Sequence, residues 1–377
     1  MLCRNLLPMQ QQSYSFWQQT WNRFRKNKMA LIGFFAIIII SFITVFGYFI
    51  APDNSPDANK VTIEIQAKKP GYTQQFLKLP LESHYYTKIF RLLIYGKQDN
   101  YLYLPVNGFK IIGDSLIVNK LIDEDASVVQ YFSINQLTNG HPDNLLSQNI
   151  IIKKYWLGTD NFGRDILSRL IIGARISLAV GLIAVFISFM VGIILGGLAG
   201  YYKGWVDELV MWLVNVTWSI PTLLLVFAIT MAMGKGFWQI LIAVGLTLWV
   251  SVARLIRGQV LAIRDLEYIQ AVRALGFSDV RIIMKHILPN LLGPVMVIAA
   301  GNFATAIIVE AGLSFLGIGI QPPQASWGLM IKENYNFLIT HNPLLATIPG
   351  FSIMLLVLAF HLLGNGLRDA FDVRASS

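Results

Sequence analysis

The sequence predicts an all-α polytopic membrane protein of six transmembrane helices, with a β-rich extracytoplasmic insert between the first two. Three observations lead there. Six stretches without formal charge, 29–50, 176–202, 209–234, 236–253, 291–309 and 342–367, are each long enough, or nearly so, to cross about 30 Å of hydrocarbon at roughly 1.5 Å per residue. Charged residues make up 14% of the chain and hydrophobic ones 55%, where a soluble domain has roughly 25% charged. Buried core helices could explain one such run, but six in one chain point to lipid. Between the first two runs the character changes, with eleven Lys/Arg and ten Asp/Glu over 51–155.

The elements follow in order. Residues 1–28 read as a cytoplasmic N-terminal segment, because Arg23, Arg25, Lys26 and Lys28 precede the first apolar run and positive flanks stay inside. Span one is 29–50. It is too long for a signal peptide and no small-residue cleavage pattern follows Ile50, so it reads as a retained anchor. Within the insert, Val61, Ile63 and Ile65 alternate with Thr62 and Glu64, the period of a half-buried strand. Further strands are expected at 109–112, 116–118, 128–134 and 149–152, with turns at 52–54, 107–108 and 139–142. The single cysteine, Cys3, excludes an intrachain disulfide, and five scattered histidines have no metal-site spacing.

The stretch 157–178 carries Asp160 with Arg164 and Asp165 with Arg169, acid-before-base pairs at the favourable helical spacing. Ile166, Leu167, Leu170 and Ile171 supply an apolar face, which predicts a helix lying in the outer interface before span two. The charges there read as structural bracing. Arg164, Arg169 and Arg175 run against the positive-inside rule, which long translocated loops tolerate. The core, 156–377, then holds spans at about 176–202, 209–233, 237–256, 291–312 and 344–364. Six spans return the C-terminus, with Arg368 and Arg374, to the cytoplasm. Pro221, Pro349 and the glycines of 192–200 mark kinks and close packing.

Spans four and five are joined by 258–290, a charged amphipathic segment. Tyr268, Ala271, Val272 and Leu275 recur at helical spacing, as do Val280, Ile283, Met284 and Ile287. Gly276 can end the first short helix, Ser278 can cap the next, and Pro289 is expected to stop it. Arg254, Arg257, Arg264, Arg273, Arg281 and Lys285 assign the segment to the cytoplasm. Helices this short are marginal in water, so a groove on a partner is a candidate for covering their apolar stripes. Glu310, an acid in an apolar run, reads either as a path or gate residue or as half of an interfacial salt bridge. Trp327 reads as an interface anchor.

The net charge of +9 does not imply nucleic acid, because it lies in flanks and loops where membrane lipid and topology account for it. No G-x-x-x-x-G-K-[ST] phosphate loop occurs, so any ATP hydrolysis belongs to a partner and the chain reads as a conduit rather than an enzyme.

Three stretches in order carry a family resemblance: L-G-T-D-N-F-G-R-D-I-L-S-R-L-I-I-G-A-R-I-S-L at 157–178, E-Y-I-Q-A-V-R-A-L-G-F-S-D-V-R-I-I-M-K-H-I-L-P-N at 267–290, and E-A-G-L-S-F-L-G-I-G-I-Q-P-P-Q-A-S-W-G at 310–328. Together they resemble the C-type permease subunit of bacterial dipeptide/oligopeptide ABC importers, over about 1–50 and 155–377. The stretch 267–290 is similar to that superfamily's E-A-A-x3-G-x9-I-x-L-P coupling motif, aligned on Gly276. Gln270, Val272 and His286 depart from its general pattern, and the insert is larger than usual.

The resemblance implies the type I ABC importer permease fold in a bacterial inner membrane, with both termini cytoplasmic. It implies a further, B-type permease subunit, two ATP-binding subunits and an extracytoplasmic substrate-binding protein as partners, with no cofactor. ATPase coupling falls on Tyr268, Gln270, Ala271, Arg273, Ala274, Gly276, Phe277 and Ser278. Peptide is the implied cargo. A permease for another small solute such as nickel, or a secondary transporter without an ATPase, are the alternative readings.

Overall fold

The computed structural model describes residues 16–81, 88–123, 126–134, 137, 149–234, 236–339 and 342–371. Cys3, Arg374 and the turn expected at 139–142 lie outside the described residues. Helix α1 (Phe16–Lys26) ends on Arg23, Arg25 and Lys26, cations suited to a helix C-terminus. Asn27 then caps α2 (Lys28–Val45), its Oδ1 accepting from the Ala30 N–H at 3.1 Å. Its Nδ2 donates to Asp369 Oδ2 at 3.1 Å, which ties the first span to the last helix. Only Ala30 and Gly33 of α2 are buried, both against that helix, where a Cβ on Gly33 would lie 2.6 Å from Ala359 O. Ile32, Phe35, Ile38, Ile39 and Phe42 face outward, as a span in contact with lipid requires. A bend at Phe46 leads into α3 (Gly47–Ile50).

The insert is a five-stranded antiparallel sheet in the order β4-β3-β2-β1-β5. Its strands are β1 (Tyr72–Pro80), β2 (Tyr101–Ile112), β3 (Ser115–Asp123), β4 (Ala126–Ser133) and β5 (Ile150–Tyr155), with helix α4 (Ile89–Tyr95) between β1 and β2. Gln75 sits opposite Val106 and Tyr72 opposite Tyr155. One set of side chains buries Leu77, Val106, Leu116 and Val118, and another buries Phe76, Leu121 and Tyr155 with Ile65. The strand expected over 61–65 is corrected. Ile63–Ile65 is a 3-10 turn, and the backbone on either side of it pairs with the loop before Ile166 instead of the sheet. Thr62 N–H donates to Phe162 O at 3.0 Å and Ala67 N–H to Asp160 O at 2.9 Å. The alternation served only to bury Ile65 beneath the sheet.

Helix α5 (Ile166–Tyr202) is continuous over 37 residues, so the interfacial helix expected at 157–178 and span two are one element from Ile166 onward. It packs on α8 (Phe237–Arg264) through glycines spaced one turn apart. A Cβ at Gly196 would lie 2.4 Å from Ala253 O, and one at Gly192 2.6 Å from Val252 Cβ, so the two backbones approach as only small residues allow.

Between them, α6 (Gly204–Ser219) and α7 (Thr222–Met233) meet at 96°. The continuous span expected at 209–233 is therefore broken. Ile220 is extended (φ −96, ψ 128) ahead of Pro221, whose ring disfavours helical backbone in the residue before it. Among the described residues, five helices are long and apolar enough to cross a membrane, or six if this bent pair counts as one. The remaining elements are α9 (Glu267–Ala274), α10 (Asp279–Ile282), α11 (Leu292–Phe315), α12 (Trp327–Asn334) and α13 (Leu344–Phe371). Ile166, Ala304, Trp327 and Leu356 join α5, α11, α12 and α13 in one core.

Candidate coupling surface

The segment between α8 and α11 is built from two short helices turned about Gly276. Helix α9 ends in a Schellman arrangement, with Gly276 N–H donating to Arg273 O at 3.0 Å and Phe277 N–H to Val272 O at 3.4 Å. Gly276 has φ +78 and no atom within 4 Å of a would-be Cβ, so a side chain there meets backbone strain and no clash. Ser278 occupies the N-cap position of α10 in extended conformation (ψ 147), but its hydroxyl makes no capping bond.

Pro289 does not stop the helix that follows Ser278, contrary to expectation. The chain continues through a π turn (Ile283–Ile287) and a 3-10 turn (Leu288–Leu291) into α11. Leu288 stays right-handed helical (φ −54, ψ −41), and Pro289 falls in the first turn of the 3-10 segment, where its missing N–H leaves no bond unmade. Asn290 Nδ2 donates to His286 O at 2.7 Å and serves one of the carbonyls.

The segment has two faces. Inward, Ile269, Ile282, Ile287 and Leu291 are fully buried against Tyr201, Val252, Ile256 and Val260 of α5 and α8. Tyr201 Oη donates to Asp279 Oδ1 at 2.6 Å, and the Arg273 guanidinium lies 5.3 Å from the Tyr201 ring centroid. Arg264 Nη1 donates to Tyr201 O. Lys203 pairs with Asp265 at 3.3 Å and, with Arg264, holds that carboxyl below the usual range. The segment is thus a bracket bolted to α5 and α8, and a partner is not needed to cover its inner stripe. Outward, Leu266, Tyr268, Leu275, Val280 and Met284 are exposed, with Leu275 at 75% and Val280 at 69%.

Tyr268, Gln270, Ala271, Arg273, Ala274, Gly276 and Ser278 lie on the exposed side, while Phe277 is half-buried, edge-on to His286. Gln270 is partly committed, since its Nε2 donates to Asp265 O at 3.1 Å. The inward anchors Ile269 and Ile282 escape the helical stripes read from the sequence, although both are apolar residues one face round from them. A cleft of about 630 Å³ opens nearby between α8, α11 and α13, lined by Leu255, Gln259, Pro294, Val297, Ile298 and Arg368.

At the other end of the helices one of the two expected acid–base pairs forms, Asp160 with Arg164, within a buried ion cluster and outside any helix. Asp160 and Arg164 lie in the loop before α5, where Arg164 Nε donates to Asp160 Oδ2 at 2.7 Å. Asp165 does not pair with Arg169. It caps α5, accepting from Ser168 N–H at 3.0 Å. Arg164 Nη2 and Arg169 Nη2 both reach Glu333 Oε2 in α12, at 2.5 and 3.2 Å, and Arg164 Nη1 donates to Asn59 Oδ1 at 3.1 Å. Two of the three arginines that offend the charge rule are therefore neutralised inside the protein.

Glu310 is wholly buried, its Oε1 accepting from Ser314 Oγ at 2.7 Å, and Ser314 Oγ accepts in turn from Ile320 N–H at 3.0 Å. It reaches no surface from which it could pair with another subunit, so the interfacial salt bridge is corrected to an internal brace of the turn after α11. Trp327 is likewise no interface anchor. It is 4% exposed, with Nε1 donating to Leu170 O at 2.9 Å.

The family profile described as "Binding-protein-dependent transport system inner membrane component" matches residues 192–377, and "N-terminal TM domain of oligopeptide transport permease C" matches residues 15–69. Glutathione transport system permease protein GsiD of Pectobacterium atrosepticum is 42% identical over 223 residues, 59% of this chain and 74% of that protein. Dipeptide transport system permease protein DppC of Bacillus subtilis is 43% identical over 218 residues, 58% of this chain and 68% of that protein. Among solved structures, an inward-facing MetNI methionine ABC transporter aligns with TM-score 0.47 and 20% identity over 55% of this chain and 98% of its own. Neither profile reaches residues 70–191, which include the whole sheet. With apolar helices enough for a multi-pass inner-membrane protein and relatives matched over most of their length, the chain belongs to the binding-protein-dependent transport permeases, as a DppC/OppC-like member.

Proposed function

We propose that the chain is the C-type permease subunit of an ATP-driven importer for small peptides, the class of cargo named in its glutathione and dipeptide relatives. It forms half of a translocation path with a B-type permease, takes substrate from an extracytoplasmic binding protein, and is driven by two ATP-binding subunits. The bent pair α6–α7 counts as one span in this reading, which makes six. Both termini and the 258–290 segment then lie in the cytoplasm, and the 51–155 insert lies outside.

One observation carries the coupling assignment. The segment is rigidly bracketed to α5 and α8 by four buried apolar side chains, yet leaves Tyr268, Leu275, Val280 and Met284 uncovered. An apolar ridge fixed to two spans suits a groove on a moving partner, because force applied to the ridge is transmitted to the helices beneath it. Tyr268, Gln270, Ala271, Arg273, Ala274, Gly276, Phe277 and Ser278 are the residues of that contact. A path or gate role for Glu310 would require α11 and the turn after it to part, since the side chain is fully buried in this packing.

The test is a pair of variants. Gly276→Val forces a β-branched residue to φ +78, at a cost of about 1 kcal/mol or more. Ala271→Asp sets an unpaired charge on the docking face. Both are expected to insert and to pair with the B-type permease, but to lose co-purification of the ATP-binding subunits and substrate-stimulated ATP hydrolysis in proteoliposomes. Retained stimulation and uptake in both would show that coupling runs elsewhere.

A further inference from the structure

Helix α4 reads Ile-Phe-Arg-Leu-Leu-Ile-Tyr, and none of its residues is buried. Ile89 and Phe90 are each 77% exposed, Tyr95 65% and Ile94 39%. A seven-residue helix is well short of the roughly 12–15 residues that sustain one alone in water. Uncovered apolar surface of this density is also unfavourable against water. Something must cover it, and its anchorage says what.

The C-terminal end of α4 is fastened to the chain just after α3 and to Arg175, in the third turn of α5. Lys97 N–H donates to Asn54 O at 2.8 Å, and Arg175 Nη1 of α5 donates to Ile94 O at 3.4 Å. A Cβ at Gly96 would lie 2.8 Å from the Tyr48 ring of α3, and the Arg175 guanidinium sits 4.8 Å from the centroid of that same ring. Arg175 is the last charge before the uncharged run 176–202, and α3 closes the first apolar run. Helix α4 therefore lies at the height where two spans leave the hydrocarbon. Phe42, Phe46, Phe49 and Ile50, at the end of the first apolar run, are exposed as well. Over 88–97 the formal charges are Lys88, Arg91 and Lys97, all exposed and all positive, as phosphate headgroups favour. A basic helix with apolar bulk and a terminal Tyr suits the headgroup–acyl boundary.

We propose that α4 is an interfacial anchor, embedded in phospholipid on the insert's side of the membrane. It holds the sheet down against the outer ends of α3 and α5. The anchor is independent of what is transported, and it adds a lipid contact to a segment that neither family profile covers.

The experiment places a nitroxide at residue 90 or at residue 89, through Phe90→Cys or Ile89→Cys in a Cys3→Ser background. The full chain is reconstituted in nanodiscs of phosphatidylcholine and phosphatidylglycerol. Tyr131→Cys on the edge strand β4, where Tyr131 is 70% exposed, serves as the aqueous reference. The label on α4 is expected to be relaxed by oxygen several-fold more than by a water-soluble nickel chelate, with the ratio reversed at residue 131. Equal relaxation by the chelate at both places would put α4 in water and overturn the proposal. Protection of the α4 label from both reagents would mean a protein covers it, and would overturn it as well.

Discussion

Lys153 of β5 and Lys60 point at one ring, their ammonium groups 3.9 and 3.5 Å from the centroid of Tyr103. Lys60 is matched by Asp99, whereas Lys153 is half-buried beside it, and burial first and the Lys60 charge next lower its pKa from 10.5 to about 8. A lysine lowered in the folded state is one whose proton the unfolded chain holds more tightly. Between about 8 and 10.5 the unfolded chain binds more protons, so stability rises with pH across that window, and the burden of the charged form is full below it. The insert should therefore resist denaturant better at about pH 9.5 than at neutral pH. Lys153→Met should raise its midpoint at neutral pH and flatten this dependence, as read by protease protection of the sheet in the intact chain. A variant that keeps the wild-type pH slope would assign the effect to another group. At this scale the sequence was partly legible. Gly276 could be read as a left-handed turn from its neighbours alone, and Glu310 as a costly acid. That Ser314, one helical turn on, donates to one of its oxygens was within reach of the spacing. Its complete enclosure was not, because periodicity along a helix does not say what packs over each face.

Prolines 221 and 289 both stand in apolar surroundings, yet one breaks a span by 96° and the other is passed in helical conformation. The difference lies in the preceding residue, extended at Ile220 and helical at Leu288. Ile287 and Leu291, buried on either side of Pro289, hold that backbone helical, and no local pattern announces their burial. The same limit applies to the junction loop. Acid–base spacing correctly flagged Asp160, Arg164, Asp165 and Arg169 as structural. It paired Asp160 with Arg164 correctly but gave Asp165 to Arg169, because a helix was assumed where Asp165 starts one. Glu333, the acid that both arginines share, carries no signal in the sequence, standing 164 residues beyond Arg169. Removing it should be expensive. Glu333→Gln leaves two buried guanidinium groups against the single carboxylate of Asp160, and a loss of about 3 kcal/mol is expected for breaking such a cluster. Asn59→Ala, which removes one neutral partner of Arg164, should cost no more than about 1 kcal/mol. Thermal unfolding in detergent checks the order of the two, and equal losses would mean the ion cluster contributes nothing special to this junction.

Across the whole molecule, the proposed orientation puts the insert and the coupling bracket on opposite sides of the membrane. In a Cys3→Ser background, Asn107→Cys at the exposed bulge of β2 should react with an impermeant maleimide from outside. Ser278→Cys on the coupling bracket should react only after permeabilisation. Equal labelling of both from outside would sink the six-span reading and the role given to the bracket together. The charge rule supports that orientation more firmly than the sequence alone suggested. Its main exceptions, Arg164 and Arg169, are buried and paired, so they are not free charges competing to stay inside.

What the sequence by itself determined is the class of molecule: apolar runs of bilayer length, a separate polar insert, and a helical bracket between two spans. These are local properties, since hydrocarbon thickness sets run length and helical periodicity sets the stripe. Tertiary structure alone decided which face of each element is covered. The bracket's inner stripe packs on α5 and α8, Trp327 and Glu310 turn inward, and Ile63–Ile65 gives up a strand to seal the loop before α5. Each outcome depends on side chains brought from far along the chain to satisfy a buried polar group or fill a space, and periodicity within a segment carries no record of them.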